Sequence, residues 1–475
     1  MINPKIIESL LLNNFPHQPT ISQEKLIEKL SLFLFNPEPN NLFILKGYAG
    51  TGKTTAISAV VNALPAINLS AVLLAPTGRA AKVLSNYSGK QAFTIHKKIY
   101  RKTVGFGGEV RFSLTDNKHT ETIFIVDEAS MIADTGGLSE GYFGNGSLLE
   151  DLLSFVFQGH NCRLILIGDG AQLPPVGQVI SPALNADYLN KNFSLAISTH
   201  ELSEVMRQKE DSGILENATK IRSLLYNEGG FTPKFSTKNF KDIIKINGTE
   251  LEDALNDCYS KYGAEDTMVI CRSNKRSNLF NQQIRNRILW KEEELSAGDY
   301  IMVVKNNYFW LPEKSPAGFI ANGDIIEVLK VKNIGEMYGF RFADATIRLI
   351  DYPNEPSIET KLLLDTISSE NPALTQTENK KLYEEVLNDY IHITDRTKRL
   401  KEIKENPFFN ALQIKFAYAV TCHKAQGGQW PAVFVDQGYL TKEMLNTEYI
   451  RWLYTAISRA SEKLYLVNFN EEFFS

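Results

Sequence analysis

The sequence predicts an α/β fold built from two parallel-sheet domains, the first with a β-hairpin insert and the second with a small β-barrel-like and helical insert. Three observations predict it. The apolar run Leu42-Phe43-Ile44-Leu45 leads into Gly47-Tyr48-Ala49-Gly50-Thr51-Gly52-Lys53-Thr54, and a helix-compatible stretch from Thr55 to Leu64 leads out. Short apolar runs then alternate with helix-compatible stretches up to about residue 200. The same alternation returns near the C-terminus after a long interruption.

The strand–loop–helix context turns the first pattern into a phosphate-binding loop. Gly47, Gly50 and Gly52 let the backbone fold around phosphates, so that N–H groups from Thr51 to Thr55 converge on anionic oxygens. The helix that follows adds the positive end of its dipole. Lys53 reaches the β- and γ-phosphates, and the Thr54 hydroxyl is a ligand for Mg²⁺. An ordinary glycine turn is the bland alternative, and the motifs downstream argue against it.

In the first domain, strands are expected at Leu42–Leu45, Ala71–Ala75, Thr122–Val126 and Arg163–Ile167. Between about Lys98 and Thr120, Gly105-Phe106-Gly107-Gly108 separates two strand-like runs and reads as a protruding hairpin. The second domain begins near residue 205. It has a strand at Met268–Cys271 and a helix from Lys275 to Trp290. Residues 298–406 interrupt it, first as a β-rich, barrel-like insert with runs at Tyr300–Val304, Ile325–Val328 and Ala345–Arg348, then as a charged helical arm from about Pro356. Strands at Lys415–Val420, Ala432–Val435 and Lys463–Val467 complete the domain. The expected boundaries are 1–204, then 205–297 with 407–475, with 298–406 inserted.

Composition narrows the function classes. No apolar run is long enough for a membrane span, and the first residues lack a signal peptide's layout. The four cysteines, Cys162, Cys258, Cys271 and Cys422, form neither a zinc pattern nor a disulfide framework, so a reducing cytosol is the expected compartment. A net charge of −4 argues against a surface coated in basic charge but allows a local basic groove.

Two further strands end in chemistry. Thr122–Val126 delivers Asp127 and Glu128 to the edge of the sheet, where ligands bind in open α/β folds. Asp127 is placed to hold Mg²⁺, and Glu128 to orient or deprotonate the attacking water. A helix N-terminus rich in acid is the alternative. Leu166-Ile167-Gly168-Asp169-Gly170-Ala171-Gln172 ends in polar groups, and Gln172 is placed to sense the γ-phosphate.

The order of these motifs, with Ala75-Pro76-Thr77-Gly78-Arg79-Ala80-Ala81 between the first two, resembles superfamily 1 DNA helicases of the RecD and Dda-like branch. The second half continues the resemblance in Val205-Met206-Arg207-Gln208, in Ala419 to Gly427 and in Leu453 to Ala460. With Gln23, the motifs span residues 23 to 460. The resemblance implies two RecA-like domains with ATP and Mg²⁺ in the cleft between them. It makes Arg207 and Arg459 arginine fingers, and Gln23 the reader of the adenine edge; without it, Gln23 reads as an exposed helix-start residue. It points to Pro76, Thr77, Thr94, His96, Thr421, His423 and Lys424 as contacts to single-stranded DNA. Phe93, Tyr308, Trp310 and Trp430 are stacking candidates.

The hairpin near Phe106 resembles the pin that splits a duplex at a single/double-strand junction. Opening one base-pair step costs about 1.4 kcal/mol, and stacking one base on an aromatic returns about 1–3 kcal/mol. One aromatic, Phe106 or Phe112, is therefore enough for one step. The reading is an ATP-dependent DNA helicase, 5′ to 3′, acting as a monomeric minimal motor without a membrane, with the 356–406 arm open to a protein partner. An RNA-directed motor, a nucleotide-switched remodelling protein and a small-molecule kinase are the alternatives. The kinase leaves Thr421–Gln426 and Arg459 unexplained.

Overall fold

The structure, a computed structural model, describes residues 3–36, 38–104, 110–134, 147–204, 212–226, 230–312, 315 and 317–474, with side chains withheld at 102–104 and 110–112. Phe106 and Arg207 lie outside the described residues, as does the side chain of Phe112.

The first core opens with helices α1 (Pro4–Asn13) and α2 (Ile21–Phe35) and continues as β1 (Asn41–Gly47), α3 (Lys53–Ala63), β2 (Ser70–Ala75), α4 (Gly78–Ser88), β3 (Ala92–Thr94) and α5 (Ile95–Ile99). The hairpin β4 (Tyr100–Val104) and β5 (Val110–Leu114) follows, then β6 (Thr122–Val126), α6 (Leu148–Gln158), β7 (Arg163–Gly168), α7 (Ala186–Asn192) and β8 (Ala196–Leu202). The sheet order is β3-β2-β6-β7-β1-β8, parallel throughout. Alternate residues of its apolar strands feed two hydrophobic cores. Phe43, Leu45, Ile123 and Ile165 point to one face, and Leu42, Ile44, Phe124 and Leu164 to the other. Parallel pairing puts the C-terminal ends of β1, β6 and β7 on one edge, which is where the expected chemistry converges.

The second core starts with α8 (Gly213–Ser223), β9 (Ile243–Ile246), α9 (Leu251–Tyr262), β10 (Thr267–Cys271) and α10 (Asn274–Gln283), the last extended by a π-turn over Ile284–Ile288. The chain then leaves to form β11 (Tyr300–Val303), β12 (Ile325–Met337), β13 (Phe340–Leu349) and β14 (Ile358–Leu363), followed by α11 (Asp365–Ser368), α12 (Gln376–Asp389), α13 (Arg396–Glu405) and β15 (Leu412–Phe416). It returns as β16 (Ala419–Thr421), α14 (Cys422–Ala425), β17 (Trp430–Asp436), α15 (Thr447–Ile457) and β18 (Ala460–Val467). The second sheet runs β16-β10-β17-β18-β9, and β11 to β15 close a barrel.

Two expectations change here. The single strand foreseen over Lys415–Val420 is two: β15 closes the barrel and β16 forms the edge of the second sheet. The run is uniformly buried, so composition carries no sign of the break. The arm also contains a strand, β14, and its helices are anchored. Leu382, Val386 and Ile403 pack with Phe340, Phe342 and Leu363 of the barrel, so only the outer face of the arm is charged surface.

The barrel meets the first core at a buried acid. Asp324 is 3% exposed and accepts the Ala321 N–H at 2.7 Å; its other oxygen faces Gly78, where a Cβ would lie 2.8 Å away. Burial, helped by Asp351, pushes its carboxyl up to about 7, against the pull of the Ala321 N–H. An acid whose folded pKa is raised holds a proton that the unfolded chain releases, so stability falls as pH rises from about 4 to about 7. Asp324→Asn keeps an acceptor and removes the titration. Its melting temperature should exceed that of the parent by about 2–4 °C near pH 7.5, with a smaller margin near pH 5. A margin independent of pH would remove Asp324 from the titration.

Among the described residues, no helix is long and apolar enough to cross a membrane.

Candidate nucleotide site and nucleic-acid face

The phosphate loop has the cradle its glycines require. Gly50 and Gly52 have φ of 76° and 90°, and a Cβ on Gly47 would lie 2.9 Å from Thr51 Oγ1 and 3.0 Å from Lys53 Cγ. Lys53 opens α3, and its Nζ donates to the carbonyls of Gly47 at 2.7 Å and Tyr48 at 3.0 Å, so the ammonium lies folded into the loop. Thr54 and Thr55 follow in the first helical turn. Gln23 is fully buried, not an exposed helix start. It completes a capping box with Thr20, and its Nε2 donates to Thr51 O at 3.3 Å.

At the end of β6, Glu128 takes a left-handed backbone with φ of 51°, a costly conformation for a non-glycine residue that recurs at functional sites. Asp127 accepts the Glu128 N–H at 2.9 Å and the Tyr87 hydroxyl at 2.5 Å. The Glu128 carboxyl lies 3.8 Å from the guanidinium of Arg459, which comes from the second core. Burial raises its pKa and Arg459 opposes that rise. Arg459 is 3% exposed. Its remaining donors go to Thr455 O, Gly428 O and Ser458 Oγ at 3.0–3.2 Å.

Gln172 is 4% exposed, and its side-chain oxygen has no hydrogen-bond partner among the described residues. A buried orphan acceptor costs about 1–3 kcal/mol, which a bound ligand or its water relieves. Among the described residues, no cluster of three or more His, Cys, Asp or Glu could hold a metal alone. Thr54, in the first turn of α3, and Asp127, at the end of β6, are the hydroxyl and the carboxylate that could hold Mg²⁺, a hard cation that takes oxygen ligands and keeps water and phosphate oxygens in its shell.

The second core is bound to this site through the loop after β7. Arg451 of α15 donates to Gly170 O at 2.6 Å and Gln172 O at 3.1 Å, the Thr455 hydroxyl accepts the Leu173 N–H at 2.9 Å, and Gln426 donates to Leu173 O at 2.8 Å. Tyr454 bonds to Asp169 and to Ala49 of the phosphate loop. Tyr87 and Arg451 do not stand out in the sequence, and Tyr454 and Thr455 lie in the motif from Leu453 to Ala460 without a role of their own there.

Of the residues implied for nucleic acid, Thr77 lies where the two cores meet. Pro76 and Thr77 precede α4, and Thr77 caps it by accepting the Ala80 N–H. Gly427, just past α14, approaches that cap so closely that a Cβ would sit 3.3 Å from Thr77 Oγ1. Thr94 is 5% exposed and caps α5 through the Lys97 N–H, which makes it a support for His96 more than a surface. Burial pushes the His96 imidazolium down to about 4, so the ring is neutral at pH 7. Across the interface, Thr421 precedes α14, His423 is exposed, and Lys424 donates to Asn322 of the barrel. Burial lowers the Lys424 ammonium to about 8.

Among the aromatics, Phe93 lies under the ammonium groups of Lys97 and Lys98 at 5.7 and 5.8 Å. Tyr308 packs against Phe319, and Trp310 donates to Asn410 O at 2.8 Å. Trp430 is not a stacking platform: it is 2% exposed and lies beneath Arg79, 4.2 Å from the guanidinium.

Residues 34–224 match the family described as an AAA domain, and residues 416–467 match the UvrD-like helicase C-terminal domain. The first match covers most of the first core and runs into α8 of the second, and the second match covers β16 to β18. The ATP-dependent RecD2 DNA helicase of Deinococcus radiodurans is 30% identical over 49% of this chain and 27% of its own length. The ATP-dependent DNA helicase dda of Enterobacteria phage T4 is 28% identical over 54% of this chain and 55% of its own length. The two domain matches and these relatives support a superfamily 1 helicase of the RecD/Dda-like branch. This chain is matched to less than two thirds of either relative's length. A Pif1 helicase structure with forked duplex DNA is 16% identical, with a TM-score of 0.47, over 97% of this chain and 94% of that one.

Proposed function

We propose that this chain is an ATP-dependent motor that translocates on single-stranded DNA in the 5′ to 3′ direction and unwinds duplex. The observation that carries the reading is the pairing of Arg459, from the second core, with Glu128 beside the phosphate loop of the first. A nucleotide between them touches both cores, so binding and hydrolysis change their spacing. Both halves of the cleft come from one chain, so a monomer suffices.

Lys53 and the amides of the phosphate loop up to Thr55 would hold the phosphates of ATP, and Thr54 and Asp127 would hold Mg²⁺, which would supply charge neutralisation. Thr77 and His96 on one core, and Thr421, His423 and Lys424 on the other, hold the strand's backbone without reading sequence. Alternating grip then turns closure into stepping, and the β4–β5 hairpin meets the junction. Arg207 joins Arg459 as the second finger in this reading. The names of the RecD2 and dda relatives, both ATP-dependent DNA helicases, support it.

The test is ATP hydrolysis with and without single-stranded DNA, followed by unwinding of tailed duplexes. Hydrolysis should rise at least about tenfold with DNA, a barrier change of about 1.4 kcal/mol, and a 5′-tailed duplex should open where a 3′-tailed one does not. Stronger stimulation by a matched RNA strand would reassign the substrate. Stimulated hydrolysis without strand separation would make the protein a remodeller.

A further inference from the structure

Tyr454 belongs to the second core, yet both of its hydroxyl's hydrogen bonds are made to the first. The oxygen accepts the Ala49 N–H at 3.0 Å, and the O–H donates to Asp169 Oδ2 at 2.5 Å. The direction of each bond is fixed, because a peptide N–H only donates and a carboxylate only accepts. Burial and the nearby Asp169 hold the phenol well above its usual pKa, so it remains a donor. The side chain is 1% exposed. The second Asp169 oxygen accepts the Ala171 N–H at 2.9 Å, so this carboxylate fixes the loop after β7 as well.

Ala49 lies inside the phosphate loop. Its N–H is one of the donors that give the loop its shape, and here a side chain from the opposite core holds it. A hydrogen bond lengthened by roughly half an ångström is no longer a good one, so this contact exists only within a narrow range of core spacing. Arg451 and Thr455 tie the same helix to the loop after β7, through bonds to Gly170, Gln172 and Leu173 and not to the phosphate loop.

We propose that Tyr454 is a positioning residue whose single hydroxyl, held between Ala49 and Asp169, makes the geometry of the phosphate loop depend on the spacing of the two cores. The inference rests on the functional reading above, in which strand binding acts through that spacing. The dependence is reciprocal: a nucleotide that reshapes the loop biases the spacing by the same free energy.

The test is Tyr454→Phe in the full chain, assayed for ATP hydrolysis with and without oligothymidylate. The ratio of stimulated to basal kcat should fall about tenfold, the size expected for one hydrogen bond to a charged group, with KM for ATP changed by less than about threefold. A general loosening of the fold lowers both rates alike and leaves the ratio at the parent value; that result overturns the proposal. Asp169→Asn and the double variant supply a cycle. Residues on one path give a double variant no worse than the worse single one, to within about twofold, whereas multiplied losses overturn it. If the parent protein is not stimulated by oligothymidylate, the functional reading fails and the inference with it. If the parent is stimulated and the Phe variant matches it, the inference alone fails.

Discussion

Replacing Glu128 with Gln is expected to slow ATP hydrolysis by about 10²–10⁴-fold, the usual contribution of a positioned general base, while ATP still binds. The amide keeps the shape of the side chain and cannot accept a proton. The Glu128 carboxyl meets Arg459 of the second core, and the phosphate loop follows β1 on the same edge of the sheet, with β7 between β1 and β6. Burial raises the carboxyl's pKa, and the Arg459 guanidinium 3.8 Å away pulls it down. The sign on turnover follows from that balance. A base titrating above the ordinary carboxylate range gives an activity that climbs with pH on the acid side, and the Gln variant should lose that limb. Equilibrium binding of a fluorescent ATP analogue, beside steady-state hydrolysis at several pH values, reads both effects. A Gln variant that hydrolyses ATP at the parent rate would take Glu128 out of the proton transfer.

Much of the first core was legible because its strands are short apolar runs that end in glycine or acid. Thr122–Val126 matches its predicted span, and Asp127 and Glu128 follow at the sheet edge. β8, Ala196–Leu202, was not legible. It is an edge strand with exposed polar positions, Ser198, Thr199 and Glu201, so its pattern resembles a loop. β12 runs on to Met337 because Tyr338 and Gly339, with φ of 57° and 69°, turn the chain straight into β13. A tyrosine at a left-handed turn position is a poor sequence signal.

The site divides the same way. The phosphate loop is local in sequence, and so could be read. The contacts that join the cores are not: Ala49 and Tyr454 are 405 positions apart, and no spacing rule says which face of α15 meets the first core. Trp430 shows the converse error: it is one of the stacking candidates, and its burial under Arg79 takes it off the surface.

Arg459 carries the other large expected effect. Arg459→Ala should lower kcat by about 10³–10⁵-fold, the range for an arginine finger in phosphoryl transfer. Arg459→Lys should restore the thermal melt without restoring turnover. Three donors of the guanidinium are held by Thr455 O, Gly428 O and Ser458 Oγ, which fixes the plane of the fork, and its open side faces Glu128. A lysine returns the charge to that position but offers a single ammonium, which cannot keep these partners and also reach a phosphate. The alanine variant alone would be ambiguous, since removing one partner of a buried pair leaves an uncompensated charge at a cost of about 3–5 kcal/mol. The lysine variant separates the roles. A folded Arg459→Lys protein with ATP affinity near the parent's and kcat depressed by about 10²-fold or more assigns Arg459 to the transferring phosphoryl group. Parent-like turnover would reduce it to a clamp between the cores, and the cleft would then need its catalytic cation from elsewhere in the second core.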